Sequence, residues 1–351
     1  MKSWFSRKDR IAGLDVGSRF VKLVEITDGS KGSVMKVYEQ VALPRGVIED
    51  GLVRDDRKLA QAVSEVFRKS GCRAARIAAA LPGTAVVVKK AAFQKMEEED
   101  LRALLTDEGE KYLPFETVEN VNFDFYILGE SPFNPNQMDV IIVAARKEIV
   151  ERYLDAIEQG GRKVVILDVD AFTLETAYER NYDFESMDVD ALVHIGASIT
   201  TVNVLRGGVS ALIRSFPMGG DFITEALRKE EGISFEEVEQ AAVEGKSPAG
   251  RGERSISLAE PLLAEIERSL DYYSSTAMEP HIRQVLLSGG AVKISGIRES
   301  LAGRVHTNVN FFDPFQRIQC DPKLFPGPYL DEIRSVAVPA VGLALRRMDD
   351  R

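Results

Sequence analysis

Residues Ile11-Ala12-Gly13-Leu14-Asp15-Val16-Gly17-Ser18 decide the fold. An apolar run leads into a turn of small residues. The chain then continues as an alternating run in which Phe20, Lys22 and Val24 point one way and Val21, Leu23 and Glu25 the other. A third strand is expected at Ser33–Ala42. Small residues in such a turn let backbone N–H groups approach a phosphate with no Cβ in the way. The turn connects two strands and not a strand and a helix, and Gly-x-x-x-x-Gly-Lys-Ser/Thr is absent from the chain, so this is not a Walker A site. The same order returns later. Ala191–Ile195 reads as a strand, His194-Ile195-Gly196-Ala197-Ser198 as its turn, and Thr200–Leu205 and Val209–Ser215 as two further strands around Gly207-Gly208. A third Gly-rich turn, Ser288-Gly289-Gly290-Ala291, follows Val285-Leu286-Leu287. Three such turns in order, each after a β-type run, point to a duplicated fold whose halves close on one nucleotide.

The remaining segments fill in an α/β pattern. Asp55–Ser70 carries Leu59, Ala62, Val63 and Val66 on one helical face, and Arg76–Leu81 is a short buried strand ending at Pro82-Gly83. Between 85 and 146 a compact unit is expected: strand Thr84–Phe93, helix Glu97–Tyr112 stopped by Pro114, and strands Val121–Leu128 and Val140–Ala145 joined by a loop over Gly129–Gln137. Lys147–Gly160 reads as helix, Val164–Val169 as strand, Asp170–Arg180 as helix and the acidic Asp183–Asp190 as a linker. Helices are expected at Phe222–Lys229, Ser234–Val243 and Leu258–Thr276, with an exposed loop at Gly245–Arg254. Gln284–Ser288 closes the pattern as a strand, followed by helices around Ile297–Leu301 and over Val338–Arg347.

A chain of 351 residues exceeds one ordinary core and suits two or more domains. With 44% hydrophobic and 28% charged residues it falls among soluble globular proteins. A net charge of -10 argues against nucleic acid or a lipid surface as the main partner. Cys72 and Cys320 lack metal-type spacing and read as reduced thiols. With only His194, His281 and His306 beside them, a His/Cys metal site is disfavoured. No apolar stretch reaches the ~18 residues of a spanning helix, since Pro82-Gly83 interrupts residues 77–88. Residues 1–9 are basic, lack the apolar core of a signal peptide and read as a tail.

Together these motifs resemble the actin-like ATPase superfamily. Gly13-Leu14-Asp15-Val16-Gly17-Ser18 resembles its first phosphate motif, His194 to Thr201 its second, and Ser288-Gly289-Gly290-Ala291 its adenosine motif. Leu167-Asp168-Val169-Asp170-Ala171-Phe172 stands where the first connecting helix belongs. Within that superfamily the chain is similar to the PilM family of type IV pilus assembly. The resemblance is carried by Asp15–Glu25, by Glu110-Lys111-Tyr112-Leu113-Pro114-Phe115, by Ile195–Ser198 and by Glu267–Tyr273. It implies an actin-like ATPase fold: two duplicated ribonuclease-H-like domains with a small inserted α+β subdomain, as in FtsA. The expected limits are 10–84 with 147–188 for the first subdomain, 85–146 for the insertion, 189–217 with 284–351 for the second subdomain and 218–283 for its smaller companion. It further implies a cytoplasmic protein that binds ATP with Mg²⁺, associates with the inner membrane through the cytoplasmic tail of PilN, and faces the motor and platform components behind twitching motility.

Residue by residue, the resemblance assigns the nucleotide to Asp15 (through Mg²⁺ and water), Gly17, Ser18 and Lys22 on one side. On the other it assigns Gly196, Ala197, Ser198 and Thr200, the helix start at Gly219-Gly220, the pair Glu265 and Arg268, and Gly289 and Gly290. Asp170 aligns with the acidic residue that positions water in related ATPases, and Asp168 is the neighbouring catalytic candidate. Tyr112, Pro114 and Phe115 are expected to border a partner-peptide groove. The superfamily usually has acidic residues where His194 and Thr201 stand. Their loss removes carboxylates that order Mg²⁺ and its waters, so hydrolysis is expected to be slow or absent. A filament-forming ATPase like FtsA, with self-association, and a small-molecule kinase of the same superfamily are the alternatives.

Overall fold

Why the first strands form is visible in their burial. In the computed structural model, which describes residues 11–29, 32–131, 134–232, 234, 252–277 and 281–347, β1 (Ile11–Val16) runs buried into the turn, and β2 (Phe20–Gly29) and β3 (Gly32–Ala42) return beside it. After the short ribbon β4 (Ile48–Glu49) and β5 (Leu52–Val53), the helix α1 (Asp56–Ser70) begins at an Asp55 side chain that accepts the Lys58 amide and ends at Gly71 in the left-handed conformation. β6 (Arg76–Leu81) lies parallel to β1.

An inserted unit follows: β7 (Val87–Gln94), α2 (Glu98–Glu108), β8 (Val121–Ser131) and β9 (Asn134–Arg146). They form a separate antiparallel sheet in the order β7-β9-β8 over a core that includes Phe93, Leu101, Leu105 and Ile142. The expected Gly129–Gln137 loop is instead the tip of a longer hairpin, since Gly129 and Glu130 pair with Asp139 and Met138.

The chain returns through α3 (Lys147–Gln159), β10 (Lys163–Val169) and α4 (Asp170–Asn181). The second half holds β11 (Val189–Ile195), β12 (Thr200–Arg206), β13 (Val209–Phe216), α5 (Gly220–Glu231), α6 (Gly252–Thr276), β14 (Gln284–Ser288), α7 (Ile297–Val305) and β15 (Asn308–Phe311). The helix expected at Ser234–Val243 lies outside the described residues, as does most of the loop Gly245–Arg254. α6 begins six residues before the expected Leu258.

The duplication is explicit in the pairing. The strands β3-β2-β1-β6-β10 and β13-β12-β11-β14-β15 have the same order, with two antiparallel then two parallel pairings in each. The first sheet gains a sixth strand from far downstream, because β16 (Gln319–Cys320) pairs parallel with β3. α8 (Gly327–Ile333) and α9 (Val338–Leu345) follow it. Ala340, Val341 and Ala344 then pack on Val24, Ile26 and Met35 of the first sheet. Residues beyond about 315, expected with the second half, therefore complete the first.

α4 and α9 fill the layer between the two sheets. Leu174, Ala177 and Tyr178 of α4 and Val338 of α9 meet Leu192, Leu205 and Leu286 of the second sheet. Their backbones come very close: a Cβ on Gly342 would lie 1.9 Å from the Thr173 carbonyl oxygen. The chain crosses between the halves near residue 182 and near residue 313. The two crossings are tied together, since the Asp313 amide donates to Tyr182 Oη at 2.8 Å. The expected linker Asp183–Asp190 is anchored here too. Buried Asp190 accepts a hydrogen bond from Arg283 Nε at 2.9 Å and another from the Tyr178 hydroxyl.

Candidate functional site between the two halves

The turns after β1, β11 and β14 meet around a cavity of about 390 Å³ between the halves. The first two turns are closed by their own backbone, whereas in the third Gly289 N donates to Ser335 O at 2.7 Å. Gly17 N donates to Phe20 O at 3.0 Å, and Gly196 N donates to Ile199 O at 2.9 Å. Gly289 has a φ of +100°, and a Cβ there would lie 2.1 Å from Ile195 O, so the third turn needs glycine to nest against the second.

Of the predicted nucleotide residues, Asp15, Gly17, Ser18, Lys22, Gly196, Ala197, Ser198, Gly220, Gly289 and Gly290 line the cavity. Lys22 Nζ donates to Asp15 Oδ2 at 2.7 Å, and both side chains are largely buried. The Ser18 and Ser198 hydroxyls bond to each other across the cleft, directly joining the two phosphate-type turns.

Asp170, at the start of α4, also lines the cavity. Its Oδ2 accepts the Thr201 hydroxyl at 3.2 Å, and Thr201 lies 3.0 Å from Ser215 Oγ. Its Oδ1 is buried without a hydrogen-bond partner. Burial pushes this carboxyl up to about 6, with nearby Asp15 adding to the shift, against hydrogen bonds that favour the ionised form. His194 occupies a cavity wall with Nδ1 2.9 Å from Ser288 Oγ. Burial pushes its imidazole down to about 4, so it is neutral at physiological pH.

Other predicted residues fall elsewhere. Asp168 is held by Arg346 Nε at 2.6 Å and does not line the cavity, which argues against the catalytic role suggested for it. Thr200 spends its hydroxyl on Met218 O at 2.7 Å. Glu265 and Arg268 pair with each other and are not among the lining residues. The start of α5 is not an open anion cradle. The Gly220, Asp221 and Phe222 amides donate to Gly196 O, Ala197 O and Gly219 O, so the first amides of that helix are already used. In the inserted unit, the Tyr112 ring packs 4.8 Å from that of Phe93, Phe115 is half-buried against the same core, and Pro114 is exposed.

Sequence reasoning missed Arg19, Tyr153, Asp221, Lys293 and Glu332, all of which line the cavity. Arg19 and Asp221 each directly follow a motif already singled out, and that adjacency was the available signal. Lys293 and Glu332 arrive on elements with no phosphate-type pattern. Among the described residues no group of three or more His, Cys, Asp or Glu converges on a metal-binding arrangement.

Comparison with known proteins places this geometry. A family model described as type IV pilus assembly protein PilM matches residues 13–348. A solved structure of a PilM-PilN type IV pilus biogenesis complex is similar over 98% of this chain and 100% of that chain, at 27% identity and a TM-score of 0.83. Ethanolamine utilization protein EutJ from Carboxydothermus hydrogenoformans matches 95% of this chain and 89% of its own at 16% identity and a TM-score of 0.55, a likeness of fold. MreB 5 of Spiroplasma citri, solved bound to AMPPNP, matches 95% and 94% at 13% identity and a TM-score of 0.48. The duplicated sheets, the cavity between their turns and a family match over nearly the whole length lead to one conclusion: the chain belongs to the PilM family of type IV pilus assembly proteins and has the actin-like ATPase fold.

Proposed function

We propose that this chain is an ATP-binding adaptor on the cytoplasmic side of type IV pilus assembly. It binds the cytoplasmic N-terminal tail of a PilN-type inner-membrane protein and couples that tail to the motor and platform components. The observation that carries this reading is the end-to-end structural likeness to the PilM-PilN complex. No helix among the described residues is long and apolar enough to cross a membrane, and in this reading the partner supplies the membrane link.

The residues around the cavity suit an adenine nucleotide. Its volume lies within the roughly 300–1,000 Å³ usual for ligand sites. Lys22 and the Ser18 and Ser198 hydroxyls offer donors to phosphate oxygens, and Gly289 and Gly290 keep side chains out of the third turn. Mg²⁺ would be held chiefly by the nucleotide's own phosphates and water, with Asp15 in reach of that hydration shell. ATP when bound supplies a polyanion and a cleavable phosphoanhydride. Asp170 can accept a proton at Oδ1, because Thr201 fixes Oδ2 and the carboxyl titrates near neutrality. A neutral His194 and a hydroxyl at Thr201 supply no second carboxylate, so turnover is slow and the nucleotide acts mainly on the angle between the halves. Exposed Pro114 and half-buried Phe115 border the docking face for the tail.

Calorimetric titration of the cognate PilN-type N-terminal peptide, with and without Mg-ATP, tests this function. Saturable peptide binding, with affinity shifted by ATP, is the expected result. ATP binding without any peptide binding would remove the adaptor role.

A further inference from the structure

Beyond the phosphate-type turns, one charged cluster reaches across the cleft. Arg19 Nε donates to Asp221 Oδ1 at 3.1 Å, and Arg45 Nη2 lies 3.8 Å from the same oxygen. The three side chains are between one-fifth and one-third exposed, and Arg19 and Asp221 line the cavity. Both ends of the contact are rigidly mounted. Arg19 O accepts the Leu43 amide at 2.7 Å, which fixes the first turn to the end of β3, and Arg45 follows two residues later. On the other side the Asp221 amide donates to Ala197 O at 2.7 Å, which fixes α5 to the second turn. Asp221 also stands in the first turn of α5, where the helix dipole favours a carboxylate. A contact between two rigid mounts, one per half, opposes their separation directly.

We propose that Arg19, Arg45 and Asp221 form a clasp that holds the cleft shut over a bound nucleotide and sets how slowly the nucleotide leaves. The clasp rests on the reading of the cavity as a nucleotide site. Arg19 and Asp221 act as positioning residues. They govern closure of the cleft and take no part in the chemistry. A partly exposed ion pair with two cationic partners contributes modestly, so removing it speeds release by about three- to tenfold. Because a closed cleft must open for the ligand to exit, the effect falls on dissociation more than on association.

The test uses the full chain and its Arg19→Gln, Asp221→Asn and double variants. Release of a fluorescent ATP analogue is followed after a chase with excess ATP. In parallel, an interspin distance is measured between labels at Arg68→Cys and Lys229→Cys in a Cys320→Ser background, without nucleotide. Both single variants should release the analogue about three- to tenfold faster. The double variant should match Asp221→Asn within about twofold, because Asp221→Asn already removes the carboxylate charge that both arginines face. Each variant should also broaden the interspin distance to longer values. Unchanged release in variants that still bind the analogue would overturn the clasp. If the unsubstituted protein binds no analogue, the nucleotide reading falls, and the distance measurement decides the clasp alone: an unchanged distribution in Asp221→Asn overturns it.

Discussion

Gly342→Ala puts the contact between α4 and α9 to a quantitative test. Alanine has the better helix propensity by about 1 kcal/mol, so an unopposed substitution in α9 would stabilise the protein. The structure opposes it, because the new Cβ would lie 1.9 Å from Thr173 O and 2.7 Å from its carbonyl carbon. The neighbour is helix backbone and cannot rotate away, so the two helices must part by about 1.5 Å to restore ordinary contact. Overpacking of this kind costs about 3 kcal/mol at the upper end of the usual range, leaving a net loss of about 2 kcal/mol. Urea unfolding followed by circular dichroism and by tyrosine fluorescence reads the loss and shows whether both halves unfold together. Because α4 begins at Asp170, the same displacement should also weaken nucleotide binding. A variant as stable as the parent, or more so, would refute the backbone contact and with it the account of how the two sheets are held at a fixed separation.

The Asp170 carboxyl is raised to about 6 by burial, so its ionisation opposes folding: the associated stability is present below about pH 4 and lost as pH rises through 6. Asp170→Asn should therefore flatten the stability profile between pH 4 and 6 and make the protein more stable at pH 8, and urea midpoints across pH would show it. Glu175, raised to about 7 mainly by burial, adds a similar loss, and Glu175→Gln separates the two contributions. Replacing both Asp15 and Ser18 by alanine should weaken ATP binding at least about tenfold in calorimetry, since it removes the Lys22 partner and the hydroxyl bridge to Ser198. Phe115→Asp should reduce affinity for the partner peptide while circular dichroism shows the fold retained at a lower unfolding midpoint; full affinity would move the docking face elsewhere.

The halves and their turns were legible because each strand carries its own pattern: Ile11–Val16 is apolar, Phe20–Glu25 alternates, and Gly196 and Gly289 stand where a Cβ would lie 2.8 and 2.1 Å from backbone oxygens. The hairpin tip at 129–137 was not, because Pro132 and Pro135 signal a loop. Pro135 nevertheless sits in β9, ahead of Gln137, where pairing with β7 begins, so no ladder bond to that strand is lost there. Asp183–Asp190 read as a solvated linker because its charges have no local partner, whereas Asp188 and Asp190 meet Arg283 from nearly a hundred residues away. The return of 319–345 to the first sheet was hidden for the same reason. β16 is two residues long, and nothing in so short a run names the edge it will join. Within the cavity, glycine turns announced themselves, while Glu265 and Arg268, assigned through the family resemblance, turned toward each other.

That late strand has a consequence for how the protein is made. The ribosome delivers β1, β2 and β3 first, but one face of their sheet stays bare until Phe315 to Leu345 emerge to cover Val24, Ile26 and Met35. By then the entire second half has been synthesised. The first half cannot mature as an independent nascent domain, and the two halves reach their native state together, near the end of translation. A chain stopped around residue 312 would carry all five strands of the second sheet, still without Val338 against Leu192 and Leu286, beside a first sheet with one face bare, and would be a substrate for chaperones and proteases and not a working half-protein.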